Sequence, residues 1–231
     1  MRGLVCLSFV VAAAVHVGAA HVYAGPVAPS CAAAVADVPC MVRPGVTAYL
    51  GLSRTGKSTL ALKHLRQSAA RALIFDPRAS ETMDAVPALH NRGDVMRFFA
   101  KHSSGKWMRT VRSHDSSLYA WLATTVPHWR GVTWVIDDAH SLLSVPAVHD
   151  AALEVGVGGR HMGGRMGVEL WVITHRPYML PADIRSQASR FYCFRQPSPG
   201  DLRYLAGWCG DDYAARVRQL PDFQFATWEG A

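Results

Sequence analysis

The run Gly51-Leu52-Ser53-Arg54-Thr55-Gly56-Lys57-Ser58 sets two glycines, a lysine and a hydroxyl at the spacing G-x-x-x-x-G-K-[ST]. Glycines let successive backbone N–H groups turn inward around an anion, and a helix starting there adds the positive end of its dipole. At this spacing Lys57 would reach the β- and γ-oxygens of a nucleoside triphosphate. The Ser58 hydroxyl would coordinate Mg²⁺, and Thr59 would lie near the α-phosphate. Ser53, Arg54 and Thr55 complete the loop. ATP and Mg²⁺ are therefore the expected ligands.

A second group of residues fits the first. Val132-Thr133-Trp134-Val135-Ile136 is apolar until it delivers Asp137 and Asp138. Open α/β sheets bind ligands at the carboxyl edge of such strands. Asp137 would hold the Mg²⁺ water shell, and Asp138 would orient or deprotonate the attacking water. The second acid points to hydrolysis, since a simple nucleotide kinase does not need it. Capping of the next helix by Asp138 is compatible with that role. Lys57, Asp137 and Asp138 form the expected catalytic set.

The strand-like run Glu169–Ile173 ends in Thr174-His175-Arg176-Pro177. A polar residue placed there contacts the γ-phosphate or its water in ATPases with an extra strand between the two motifs. Thr174 and His175 are thus the sensor candidates. Upstream, Gly159-Arg160-His161-Met162-Gly163-Gly164-Arg165 carries two arginines in a glycine-rich stretch. Arg160 or Arg165 could reach a neighbouring subunit's γ-phosphate as an arginine finger.

These residues must be positioned by alternating strands and helices, which implies parallel strands with crossover helices. Strands are expected at Val46–Leu50, Ala72–Phe75, Val132–Ile136, Glu169–Ile173 and Phe191–Phe194. Trp107–Arg112 reads as an extra edge strand and Phe223–Trp228 as a last one. Helices are expected over Lys57–Ala70, Gly93–His102, Ser116–Thr125 and Val145–Val157, with two more around Asp201–Trp208 and Asp211–Leu220. No internal repeat or low-complexity linker interrupts residues 41–231, which read as one domain.

Half of the 231 residues are hydrophobic, a globular composition. The formal charge is +7. Arg2 and Asp37 cancel within residues 1–40, so the whole excess belongs to 41–231. Such a balance suits a polyanionic partner, nucleic acid first, with plain solubility as the bland alternative. Cys6, Cys31, Cys40, Cys193 and Cys209 form no C-x-x-C pair, which fits a reducing compartment with buried thiols.

Residues 1–40 differ from the rest. Gly3 to Ala36 contain no charged side chain, and the stretch after Arg2 is rich in Ala and Val. By pattern this is a secretory signal peptide or a short membrane anchor over residues 3–20. Export would take an ATP-dependent domain away from ATP. The reading we favour starts the protein at Met41, directly before the first strand, with the upstream residues as a leader.

Five blocks, GLSRTGKST, LIFDPRASE, VTWVIDDAH, GGRHMGGRMGVELWVITHRPYMLPADIR and FYCFRQPSPGDLRYL, together resemble the FtsK–HerA superfamily. Within it the chain is similar to the small genome-packaging ATPases of viruses with internal membranes, over nearly all of 41–231. The fourth block discriminates, through its Gly-Arg-His, apolar strand, Thr-x-Arg-Pro, Leu-Pro and Ile-Arg pattern. The resemblance implies a RecA-like α/β P-loop NTPase, with a mostly parallel sheet of order 5-1-4-3-2 flanked by helices. It also implies a homo-oligomeric ring, a hexamer, that moves double-stranded DNA through its centre. Capsid or membrane vertex proteins would be further partners, and the host cytoplasm or the virion vertex the location. One sequence does not name the pore residues; Arg185, Arg190 and Arg203 are only basic residues in plausible positions to track phosphates. Asp138 stands where the family usually has glutamate, and His175 where it usually has glutamine. The spacing to Thr174 fits neither Arg160 nor Arg165 cleanly.

The shortness of the chain favours genome packaging over chromosome segregation or end resection, whose enzymes carry large extra domains. A membrane-linked phage assembly or secretion ATPase is the alternative, favoured if residues 3–20 act as an anchor. A nucleotide-switched binding module is disfavoured by Asp137 and Asp138.

Overall fold

Uninterrupted apolar runs are satisfied in strands buried on both faces, as in the middle of a parallel sheet. The structure, a computed structural model, describes residues 45–102, 105–158 and 167–230. Its elements are β1 (Val46–Leu50), α1 (Lys57–Ser68), β2 (Arg71–Phe75), β3 (Ala88–Leu89), α2 (Arg92–Lys101) and β4 (Trp107–Val111). There follow α3 (Ser116–Ala123), β5 (Val132–Ile136), α4 (Ala139–Leu142), α5 (Pro146–Gly158), β6 (Val168–Thr174) and α6 (Ala182–Ser186). The chain ends with β7 (Ala188–Phe194), α7 (Pro199–Cys209), α8 (Asp211–Arg218) and β8 (Phe225–Glu229).

The strands form one sheet of order β3-β4-β2-β5-β6-β1-β7-β8. Every pairing is parallel except that of β7 with β8. The five strands expected at the core occupy its middle, and three more extend it, so the order expected for five strands is lengthened at both ends. Trp107–Arg112 was expected as an edge strand, but β4 lies inside the sheet, because it pairs with β2 on one side and β3 on the other. Two residues of β3 are too few to show a period-two pattern, which is why the true edge was not legible.

Alternation along the strands sorts the core into two layers. Val46, Ala48, Leu50, Trp134, Ile136, Leu170 and Val172 face a layer filled by α2, α3, α5, α7 and α8. Tyr49, Ile74, Val135, Trp171 and Ile173 face the other, covered by α1 and a short turn of helix at Glu81–Ala85. The side chain of Trp134 is fully buried and meets Phe75 edge-on at 5.3 Å. Trp134→Ala is expected to lower stability by about 3–5 kcal/mol. A guanidinium midpoint unchanged from wild type would show that this layer repacks.

Helix boundaries follow side-chain caps. Asn91 accepts the Asp94 N–H at 3.0 Å and Asp115 the Ser117 N–H at 2.8 Å, starting α2 and α3. The helix expected at Val145 begins at Pro146, whose missing N–H costs nothing in a first turn. The short α4 and α6 were not expected. Among the described residues no helix is long and apolar enough to cross a membrane. Residues 3–20 lie outside the described residues.

Candidate functional site

Because β1, β2, β5 and β6 are parallel, their carboxyl ends open together on a cleft of about 790 Å³. β1 runs into Gly51, where an added Cβ would stand 2.7 Å from Phe194 Cβ and 2.9 Å from Thr55 Oγ1. Only glycine fits that approach. Gly56, at φ 99, turns the chain into α1 through the left-handed region. Thr55 tightens the loop by donating to the Leu52 carbonyl at 2.8 Å. Ser53, Arg54, Thr59 and the rest of the Gly51–Ser58 loop beyond Leu52 border the cleft.

Lys57 opens α1 almost wholly buried, its ammonium donating to the Leu52 carbonyl at 2.6 Å. Burial pulls its pKa down to about 8, against the opposing pull of Asp137 and Asp138. Ser58 Oγ lies 3.4 Å from Asp137 Oδ2. Burial pushes the Asp137 carboxyl up to about 6, although the Asp138 N–H donates to it at 2.9 Å.

Asp138 sits in the left-handed region at φ 52, ψ 47, immediately before α4. It does not cap α4 with its side chain. Its carboxylate turns inward instead, ion-paired with Arg78, 3.0 Å from His140 Nδ1 and 3.7 Å from His175 Nε2. Both oxygens are buried and meet these side chains without the geometry of hydrogen bonds. His175 Nδ1 lies 3.4 Å from the Lys57 ammonium and 3.5 Å from Ser53 Oγ. Burial, then the charge of Lys57, lowers the His175 pKa. Thr174, at the end of β6, is buried with a hydroxyl that has no hydrogen-bond partner, on the wall of the same cleft.

The structure brings Gly51, Gly56, Lys57, Ser58, Asp137, Asp138, Thr174 and His175, the residues singled out from the sequence, together at one edge of the sheet. Arg160 and Arg165 lie outside the described residues. Arg185 is not available to a pore. It is buried, donates to the Leu180 carbonyl, and packs on the Tyr204 and Trp208 rings at 4.0 and 4.8 Å. Arg190 pairs with Glu229 at 2.9 Å, whereas Arg203 is exposed.

Arg78 and His140 were missed. Arg78 is presented by the turn after β2, which is clamped from below. The buried Asp76 carboxylate accepts the Ser80 N–H at 3.0 Å and Arg112 Nε at 2.9 Å. Arg112 also bonds Asp84 at 2.5 Å and the Ser80 carbonyl at 2.9 Å. Burial raises the Asp76 pKa, and Ser80 and Arg112 oppose the rise. The signal was the strand end itself: the rule that ligands meet carboxyl edges applies to β2 as it does to β5.

No protein-family model matches the chain, and no curated protein matches it. Solved structures do. The genome packaging NTPase of Sulfolobus turreted icosahedral virus 2, in complex with AMP, superposes with TM-score 0.62 at 19% identity, over 82% of this chain and 94% of that one. Its complex with ATP-gammaS gives TM-score 0.62 at 18% identity, over 82% and 93%. The conjugation coupling protein TcpA of pCW3 gives TM-score 0.54 at 12% identity, over 82% of this chain and 58% of that one. The fold implied by the FtsK–HerA resemblance is the fold shared with these proteins.

Proposed function

We propose that the chain is an ATP-hydrolysing DNA translocase that packages a double-stranded viral genome into a procapsid. The observation that carries the hydrolytic part is the convergence of Lys57, Ser58, Asp137, Asp138 and His175 in one cleft beside a glycine-built loop. Likeness to a genome packaging NTPase along 94% of that chain supports the packaging part. The net charge of +7 supports a polyanionic partner. A homo-oligomeric ring, a hexamer, with capsid or vertex proteins as its dock, completes the reading.

In it the loop amides and Lys57 bind the β- and γ-phosphates. Asp138 orients the attacking water and takes its proton, and His175 and Thr174 border the γ-phosphate. The donor set also fits Mg²⁺: Ser58 Oγ and Asp137 Oδ2 are neighbours, and this ion takes few protein oxygens beside phosphate and water. Ser58 and Asp137 would hold the ion there, and it would supply neutralisation of phosphate charge.

The likeness to a conjugation coupling protein supports a second reading, a membrane-linked assembly or secretion ATPase. ATP hydrolysis by the full chain, with and without double-stranded DNA, separates the two. The packaging reading expects a severalfold rise with DNA that fades between about 50 and about 200 mM salt. A rate indifferent to DNA would sink it and leave the second reading.

A further inference from the structure

Lys57, Ser58 and the two aspartates account for the phosphate end of the cleft, while its other end is built differently. Three phenyl rings gather there: Phe194 closing β7, Phe225 opening β8, and Phe223 in the turn before it. The rings of Phe194 and Phe225 stand 5.6 Å apart, tilted by 51°. Phe223 is 72% exposed, more than any other large apolar side chain among the described residues. Its backbone is also held at φ 62, which a bulky residue rarely adopts.

Exposure and strain together at one aromatic residue ask for a reason. Burial elsewhere does not supply one, but position does. A Cβ added to Gly56 would lie 3.5 Å from the Phe194 ring and 3.9 Å from Phe223 Cδ1. The phenyl cluster therefore borders the phosphate loop where α1 begins, with Thr59 and Lys63 lining the same cleft. The Gln224 N–H bonds the Pro221 carbonyl at 3.3 Å, and Arg195 pairs with Asp222 at 2.8 Å, so the turn that presents Phe223 is tied on both sides.

We propose that Phe223, backed by Phe194 and Phe225, is the platform on which the base of the bound nucleotide stacks. This rests on the reading of the loop as a triphosphate site. No asparagine or glutamine lines the cleft among the described residues, so no side-chain amide is there to read adenine by paired hydrogen bonds. Stacking accepts any base, because every base has a π face. The site therefore takes nucleotides without reading which base they carry.

The test is calorimetric binding to the full chain of three probes with Mg²⁺: non-hydrolysable ATP and GTP analogues and inorganic tripolyphosphate. Wild type is expected to bind the two purine analogues within about tenfold of each other. Phe223→Ala is expected to weaken the ATP analogue on the order of tenfold or more and to leave tripolyphosphate unchanged. Phe223→Trp is expected to restore the loss, and the exposure of Phe223 keeps both variants folded. Unchanged affinity of Phe223→Ala for the ATP analogue overturns the proposal, as does an equal loss for tripolyphosphate. A preference of wild type for one purine above about a hundredfold overturns recognition by stacking. Wild type that binds neither the analogues nor tripolyphosphate overturns the nucleotide site itself, and the proposal with it.

Discussion

Asp138→Asn is expected to bind ATP nearly as tightly as wild type and to hydrolyse it about 100- to 10,000-fold more slowly. The carboxylate is the buried acid nearest to His175 in the cleft, and it has no partner it must satisfy as a helix cap. Asparagine matches its shape, and of all non-glycine residues asparagine and aspartate best tolerate the left-handed backbone that residue 138 adopts. The substitution therefore removes a proton acceptor and leaves the turn intact. Single-turnover hydrolysis beside equilibrium binding reads the two effects separately. Hydrolysis within tenfold of wild type would mean that another group activates the water. A parallel loss of binding would mean that Asp138 holds the site together and does not act on the water.

Lys57→Ala is expected to bind ATP at least about a hundredfold more weakly, from two charge-assisted contacts to phosphate, with hydrolysis falling below detection. This loss differs in kind from that of Asp138→Asn, because it removes ground-state binding. The fold should survive it. Burial lowers the Lys57 pKa to about 8 from an unfolded value of 10.5, so the charged form opposes folding. That opposition is fully present below the folded value and is relieved as pH rises toward the unfolded one. At neutral pH the truncated variant is accordingly expected to melt no lower than wild type, apart from the bond to the Leu52 carbonyl. A variant that loses affinity and melts far lower would assign Lys57 a structural role instead.

The chemistry of the cleft was legible where it is written in contiguous residues. Eight residues from Gly51 to Ser58 contain the geometry of an anion loop, because backbone amides and one lysine suffice. Val132–Ile136 announced a buried strand, since Thr133 is its one polar side chain, and so located the two aspartates at its end. Local chemistry of this kind determined the fold class, the glycine-built loop, both carboxylates and the polar end of β6. The tertiary structure alone decided the rest, for a physical reason: a strand's period says which face is buried and nothing about which strand lies alongside. The contact of Arg78 with Asp138 depends on β2 and β5 being neighbours, and the place of β4 inside the sheet depends on a two-residue strand. Arg185 looked available for DNA until Tyr204 and Trp208, a helix away in sequence, closed over it. The phenyl cluster likewise exists only because antiparallel β8 returns Phe225, and with it Phe223, to the side of the loop where β7 leaves Phe194.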